Sequence, residues 1–157
     1  MNKVELFNMR LNRIDSANML SDLGIKSAGK SGVYHLVDGC EVVYVGQTSN
    51  LKCRIASHMR DKKFSSVNFF ECKDNLNNEE AADIVKYKPV LNRTLPNCSM
   101  FMTTQKLKRD LSDRVSSIVD SMIRDGSIDV LYSSDSGIKY VSVNEVDAIF
   151  ELVKTSM

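Results

Sequence analysis

Six side chains within the first 92 residues are candidates for acid–base and metal chemistry. They are Tyr34, Tyr44, Arg54, His58, Glu80 and Asn92. Glutamate is a hard oxygen ligand that suits Mg²⁺ or Mn²⁺. Arginine presents a planar guanidinium that matches a phosphate, and tyrosine and histidine can transfer protons. These types together could hydrolyse a phosphodiester, which needs a cation near the non-bridging oxygens and a base for the attacking water.

Glu80 is the predicted metal ligand of this set. A single carboxylate indicates one metal ion whose shell is completed by water and phosphate, rather than a two-metal site. Arg54 and His58 are four residues apart, so a helix would place them one turn apart on the same face. We therefore expect a Mg²⁺ or Mn²⁺ cofactor at Glu80 and the scissile phosphate at Arg54.

The elements that would carry these residues alternate between strands and helices. Strand-like residues flank Asp38-Gly39, a strong hairpin signal. Leu51, Ile55 and Met59 recur every four residues and predict a helix with that stripe inward. The predicted elements are a hairpin over 33–45, a helix over 51–60, a strand over 66–72 and a helix over 79–87 that Pro89 stops.

The hairpin loop decides whether the two tyrosines can act together. With the two-residue loop Asp38-Gly39, Tyr34 would face Val43, and Tyr44 would lie on the opposite face of the ribbon. With a third loop residue, Cys40, Tyr34 would face Tyr44 directly. A shared site therefore predicts the odd-length loop, despite the usual preference for a tight Asp-Gly turn.

The flanks predict further helices and a second hairpin. Residues 3–14 and 16–23 carry apolar residues at helical spacing and predict one or two helices. Beyond Pro96 the predicted elements are a long helix over 107–122, a hairpin over 128–143 and a helix over 144–154.

The predicted fold class is α/β of the α+β type. A small three-stranded antiparallel sheet is flanked by helices, and a C-terminal helix, hairpin and helix extend it. The predicted divisions are an N-terminal helical segment at 1–28, a central domain at 29–96 and the extension at 97–157.

Charge is unevenly distributed along the 157 residues. The 21 basic and 20 acidic side chains give a net charge of +1. Residues 26–93 carry 11 basic and 8 acidic side chains, whereas residues 94–157 carry 7 and 9. A polyanion should therefore meet the middle of the chain. Residues 104–143 loosely resemble the recognition helix and wing of a winged-helix protein. Their acidic residues favour packing, a homo-oligomer or a protein partner, which we assign to residues 97–157.

Several classes are excluded by what the sequence lacks. No apolar run approaches about 18 residues and the N-terminus has no apolar core, so we expect neither a membrane partner nor a signal peptide. Cys40, Cys53, Cys72 and Cys98 lack zinc-site spacing, and we expect a cytoplasmic protein with reduced thiols. Residues 24–31 match a phosphate-loop pattern. A helix precedes them and a strand follows, the reverse of the order that a phosphate cradle needs, so we interpret them as a connecting loop.

The ordered motifs resemble those of a known family. Gly32-Val33-Tyr34 opens the first strand of the hairpin, and Tyr44-Val45-Gly46 closes the second. This series resembles the GIY-YIG nuclease family over about residues 30–95, with valine in place of isoleucine in both tripeptides. The stretch from Tyr44 to His58 resembles the family's strand–loop–helix segment. The spacing from Glu80 to Pro89 and Asn92 also matches.

The resemblance implies a metal-dependent endonuclease that cuts DNA, with double-stranded DNA as the partner. Tyr34 would act as general base or water positioner, assisted by Tyr44 and His58. Asn92 would hold Glu80 or the hydrogen bonds of the site in place. The residues expected to contact nucleic acid are Gln47, Lys52, Arg54, Arg60, Lys62 and Lys63.

Each of these residues also has an ordinary structural interpretation. Tyr34 and Tyr44 are good strand formers. Glu80 lies three residues after Asn77, where a carboxylate completes a capping box. The basic residues could form only a solvated face, His58 could be a surface or packing residue, and Asn92 could be a turn residue after Pro89. The alternative functions are a module that binds nucleic acid or a protein without cutting, and a structural or regulatory protein in which the motif is fortuitous.

Overall fold

The computed structural model describes residues 3–11, 16–109, 111, 113–134 and 137–155. The chain divides into two compact units, Met1–Asn92 and Arg93–Met157. The first unit contains β1 (Val4–Arg10), α1 (Ser16–Lys26), β2 (Gly32–Asp38), β3 (Glu41–Thr48), α2 (Leu51–His58), β4 (Ser66–Glu71) and α3 (Leu76–Tyr87). The second contains β5 (Phe101–Thr103), α4 (Thr104–Arg109), α5 (Asp113–Arg124), β6 (Tyr132–Ser133), β7 (Lys139–Ser142) and α6 (Val143–Thr155). The predicted mixture of helices and antiparallel sheets is confirmed.

The first unit has a four-stranded antiparallel sheet in the order β1-β4-β2-β3. The prediction of a three-stranded sheet and of a helix over 3–14 is wrong, because Val4–Arg10 is a strand at the edge beside β4. A β-bulge at Leu6 lets Leu6 and its neighbour Phe7 both pack on the core, which breaks the alternation expected of a strand. Residues 12–15 of the predicted helices lie outside the described residues, and the second predicted helix is confirmed as α1.

The core of this unit lies between one face of the sheet and helices α1 and α2. Its fully buried members come from both helices and the central strands: Leu23, Tyr34, Leu36, Leu51, Ile55, Val67 and Phe69. The inward stripe predicted for α2 is confirmed by Leu51 and Ile55. Asn50 begins this helix, and its side chain accepts a hydrogen bond from the backbone N–H of Cys53 at 3.2 Å.

Helix α3 is linked to β2 by a buried hydrogen-bonded pair, His35 and Asp83. The Nε2 atom of His35 lies 2.8 Å from a carboxylate oxygen of Asp83, and Lys3 forms an ion pair with the other oxygen at 2.5 Å. Burial acts to raise the pKa of Asp83, but the hydrogen bonds from His35 and Lys3 outweigh it and lower the pKa. Asp83 lies one turn after Glu80, so this pair also fixes the position of Glu80.

The hairpin turn differs from the prediction. Asp38 pairs with Glu41, so the loop has the two residues Gly39 and Cys40 rather than three. Gly39 has φ 64°, the left-handed conformation that glycine adopts without strain. The predicted odd-length loop is therefore wrong.

A β-bulge in β3 nevertheless brings the two tyrosines to one face. The register shifts so that Val43 is the extra residue, Leu36 pairs with Tyr44, and Tyr34 pairs with Gly46. Tyr34 and Leu36 share one face of β2, so Tyr44 lies on that face too. The two tyrosines are diagonal neighbours rather than the direct partners that were predicted.

The second unit also departs from its predicted elements. The long helix is two helices, α4 and α5, and Leu111 belongs to neither; residues 110 and 112 lie outside the described residues. Strand β5 was not predicted, and it joins a sheet of order β5-β7-β6. The second hairpin is confirmed in shorter form by β6 and β7, although residues 135 and 136 of its turn are not described. The last helix is confirmed as α6.

Two sequence-based exclusions can be compared with the structure. Residues 24–31 follow a helix and precede β2, so the helix–loop–strand order that argued against a phosphate loop is confirmed. Within the described ranges, no helix has the length and apolar character needed to cross a membrane.

Candidate active site

The hydroxyl of Tyr34 is the centre of the candidate site. It lies 2.8 Å from Nε2 of His58 and accepts a hydrogen bond from Nε of Arg54 at 3.1 Å. Since the oxygen accepts from Arg54, its own hydrogen is available to Nε2 of a neutral His58. Tyr34 comes from the central strand, and both partners come from α2, four residues apart as the sequence predicts.

Tyr44 completes an aromatic cluster around this hydrogen-bonded group. Its ring centroid lies 6.1 Å from that of Tyr34 and 4.9 Å from that of His58. The ammonium of Lys62 lies 5.3 Å from the centroid of the Tyr44 ring, within the range of a cation–π contact. The structure thus brings together four of the predicted catalytic residues and the predicted nucleic-acid contact Lys62.

Gly46 makes the close approach of the two tyrosines feasible. A Cβ atom at this position would lie 2.5 Å from Oη of Tyr34 and 2.8 Å from a ring carbon of Tyr44. Any larger residue would displace both rings. Gly32, which opens β2, is constrained in the same way because a Cβ would collide with the carbonyl oxygen of Phe70. Both glycines belong to the sequence motifs, but the reason that each must be glycine depends on the pairing of the strands.

Glu80 is held at the site by Gln47. The Nε2 atom of Gln47 donates to a carboxylate oxygen of Glu80 at 2.8 Å and also to Oδ1 of Asn77. Helix α3 begins at Leu76, and the side chain of its N-cap Asn75 makes no capping hydrogen bond. Glu80 therefore lies in the second turn, and the capping-box interpretation is wrong. Gln47, predicted to contact nucleic acid, is the residue that orients Glu80.

The electrostatics of the site keep its proton carriers neutral. Burial raises the pKa of Tyr34, helped by the neighbouring Tyr44 and opposed by Arg54. Burial, with the positive charges of Lys62 and Arg54, lowers the pKa of His58 to about 4. The hydrogen bond to Tyr34 raises the pKa of Arg54, which stays charged. At neutral pH a phenol hydroxyl thus faces an unprotonated imidazole beside a fixed cation.

Glu80 belongs to the same electrostatic environment. Burial raises the pKa of its carboxyl group, whereas the hydrogen bond from Gln47 and the positive charge of Arg54 lower it. The positive charge of Arg54 therefore acts on the carboxyl group of the predicted metal ligand. In the chain as far as it is described, no three His, Cys, Asp or Glu side chains are grouped to hold a metal. One partly buried carboxylate fits a Mg²⁺ ion that keeps most of its water shell.

Asn92 acts on the site through strand β3. Its side-chain Oδ1 accepts from the backbone N–H of Val45, and its Nδ2 donates to the carbonyl oxygen of Val45, both at 2.8 Å. Val45 lies between Tyr44 and Gly46, so these two hydrogen bonds fix the part of β3 that lines the site. The neighbouring Leu91 N–H donates to the carbonyl oxygen of Val43 at 3.0 Å.

The remaining predicted nucleic-acid contacts lie on and after α2. Lys52 and Arg60 are exposed. Lys62 forms an ion pair with Asp61 at 2.9 Å, and Lys63 forms one with Asp38 at 3.5 Å. The side chain of Lys63 is 82% exposed, so its ion pair is weak and Lys63 remains available to a polyanion, whereas the side chain of Lys62 is only 18% exposed.

The low pKa of His58 predicts a specific loss of stability in acid. Below pH 6.5 the unfolded chain protonates this histidine, whereas the folded protein resists protonation until about pH 4. The unfolded state then binds more protons, so the free energy of unfolding falls as the pH is lowered through this window. Urea unfolding at about pH 7 and about pH 4.5 should show a smaller decrease for His58→Gln than for the wild type. Equal decreases in both proteins would contradict a buried neutral His58.

About half of the chain is similar in sequence to part of a known protein. The chain is 36% identical over 87 residues to UvrABC system protein C of Fervidobacterium nodosum. The match covers 48% of this chain and 16% of that protein, so the chain corresponds to a small part of the relative's length. No protein-family model and no solved structure match the chain.

Proposed function

We propose that this protein is a metal-dependent endonuclease of the GIY-YIG type that hydrolyses phosphodiester bonds in double-stranded DNA. The observation that carries the proposal is the position of the Tyr34 hydroxyl between Nε2 of His58 and Nε of Arg54. A tyrosine used only for packing would not need a buried base on one side and a cation on the other. The similarity to UvrABC system protein C supports the proposal for part of the chain.

The proposed roles follow from the protonation states. Nε of Arg54 is used by Tyr34, and the other guanidinium N–H groups bind the non-bridging oxygens of the scissile phosphate. The Tyr34 oxygen takes a proton from the attacking water as its own proton passes to Nε2 of neutral His58. The water oxygen bonds to phosphorus, the bond to the leaving oxygen breaks, and that oxygen is protonated from solvent. Glu80 would hold a Mg²⁺ or Mn²⁺ ion, which supplies charge neutralisation at the phosphate when bound.

Supercoiled plasmid gives the direct test of this function. Purified protein should nick or linearise the plasmid with Mg²⁺ or Mn²⁺ and should be inactive in EDTA. Cleavage that persists in EDTA would contradict a metal-dependent mechanism. Salt-sensitive DNA binding without cleavage in either metal would instead favour a module that binds nucleic acid.

A further inference from the structure

The turn that follows α3 places two apolar side chains in water beside strand β3. Val90 is 74% exposed and Leu91 is 40% exposed. Single exposed apolar residues are common on protein surfaces. Here the two are consecutive, and they adjoin residues that position the candidate site.

The backbone of this turn is held in a fixed shape. Lys88 adopts φ 46°, a left-handed conformation that is strained for a residue other than glycine, and Pro89 follows it. After the turn, Leu91 and Asn92 are hydrogen-bonded to β3 on either side of Tyr44. The turn that carries Val90 and Leu91 is therefore preorganised, so that a partner can bind it without an entropic cost for ordering the turn.

The chain segment that contains the turn is cationic. Lys86 and Lys88 are both exposed, and no acidic residue occurs from position 84 to position 96. The preceding carboxylate, Asp83, is buried and paired with His35 and Lys3. The exposed pair Val90 and Leu91 is thus flanked by cations, and no anion occurs in the same stretch. This arrangement is complementary to a nucleic acid, because the lysines can bind phosphates and the apolar pair can contact base surfaces.

We propose that Val90 and Leu91 form an apolar wedge that enters duplex DNA between two base pairs beside the phosphate bound by Arg54. Apolar side chains inserted in this way unstack a base step and kink the duplex. The cost of unstacking is smallest where the step is already disrupted, so a duplex with a bulge is the preferred substrate class. The wedge rests on the proposed function, because it assumes that DNA is the substrate.

Binding measurements can test the wedge without cleavage. The full chain carrying Glu80→Gln is titrated with a fully paired duplex and with the same duplex carrying a one-base bulge, each containing 2-aminopurine near the bulge position. We expect about tenfold tighter binding to the bulged duplex. Binding to the paired duplex should also raise 2-aminopurine fluorescence, because that base fluoresces when unstacked.

Matched variants then distinguish insertion of the wedge from DNA binding that does not depend on the bulge. Val90→Ser combined with Leu91→Ser should reduce the preference to less than about twofold and remove the fluorescence rise on the paired duplex. Ile25→Ser, which changes an equally exposed apolar residue (72%), should leave both unchanged. Lys88→Ala should weaken binding to both duplexes alike.

The outcomes distinguish this proposal from the one on which it rests. If the protein binds no DNA, the proposed function fails and the wedge fails with it. If it binds both duplexes equally, or if the serine variants keep the preference, the wedge alone is overturned. Equal loss in the Ile25→Ser protein would also overturn it, because the effect would then not belong to this turn.

Discussion

Replacing Glu80 by glutamine should reduce plasmid cleavage by about 10²–10³-fold or more without unfolding the protein. Glutamine keeps an oxygen that can accept the hydrogen bond from Gln47, so the local structure should survive. It removes the negative charge that a divalent cation requires. Initial cleavage rates at saturating Mg²⁺ would give the ratio, and thermal unfolding would show whether the fold is intact.

Glu79→Gln is the matched control for this substitution. Glu79 is the preceding residue on α3, and its ion pair with Lys3 spans 3.5 Å, a contact of small energetic value. Its loss should leave cleavage nearly unchanged. Mn²⁺ binding followed by electron paramagnetic resonance should disappear in Glu80→Gln and persist in Glu79→Gln. A Glu80→Gln protein that still cleaves within about threefold of the wild type would contradict the site.

Replacing Tyr34 by phenylalanine should lower kcat by about 10²–10⁴-fold and change KM much less. The ring stays in place, packed against Tyr44 and His58. The hydroxyl that links the attacking water to His58 is lost, whereas phosphate binding by Arg54 remains. Single-turnover cleavage rates as a function of DNA concentration would separate the two parameters.

Two observations would distinguish the lower kcat of Tyr34→Phe from an effect on folding. Loss of the buried hydrogen bonds to His58 and Arg54 should cost about 1–3 kcal/mol in the free energy of unfolding, which leaves the protein folded at room temperature. Tyr87→Phe, outside the site, should cleave like the wild type. Normal kcat in Tyr34→Phe would mean that another group activates the water.

The sequence predicted which side chains would be neighbours better than it predicted the strand register that brings them together. Arg54 and His58 share a face of α2 because helical spacing is a local property. Tyr34 and Tyr44 lie on the same face of the sheet because of a bulge at Val43. No residue type in this valine-rich strand indicates that a bulge is present. The sequence therefore predicted the right neighbours with the wrong loop.

Strand β1 and the helices of the second unit were harder to predict, because the spacing of their apolar residues fits more than one kind of element. Leu6 and Phe7 fit a helix as well as a strand, and pairing with β4 decides between them. In the second unit the apolar spacing runs on through Leu111, where the helix is interrupted. Periodicity reports which residues face inward, whereas the ends of an element depend on contacts distant in sequence.

The two hydrogen bonds between Asn92 and Val45 also bear on self-association. Strand β3 is the last strand of its sheet, and an unpaired edge of this kind can template the addition of another chain. Asn92 occupies both the N–H and the C=O of Val45, and Leu91 occupies the C=O of Val43. A strand from a second molecule would first have to displace these contacts. Asn92, which fixes the strand that carries Tyr44, thereby also protects the sheet from edge-to-edge aggregation on that side.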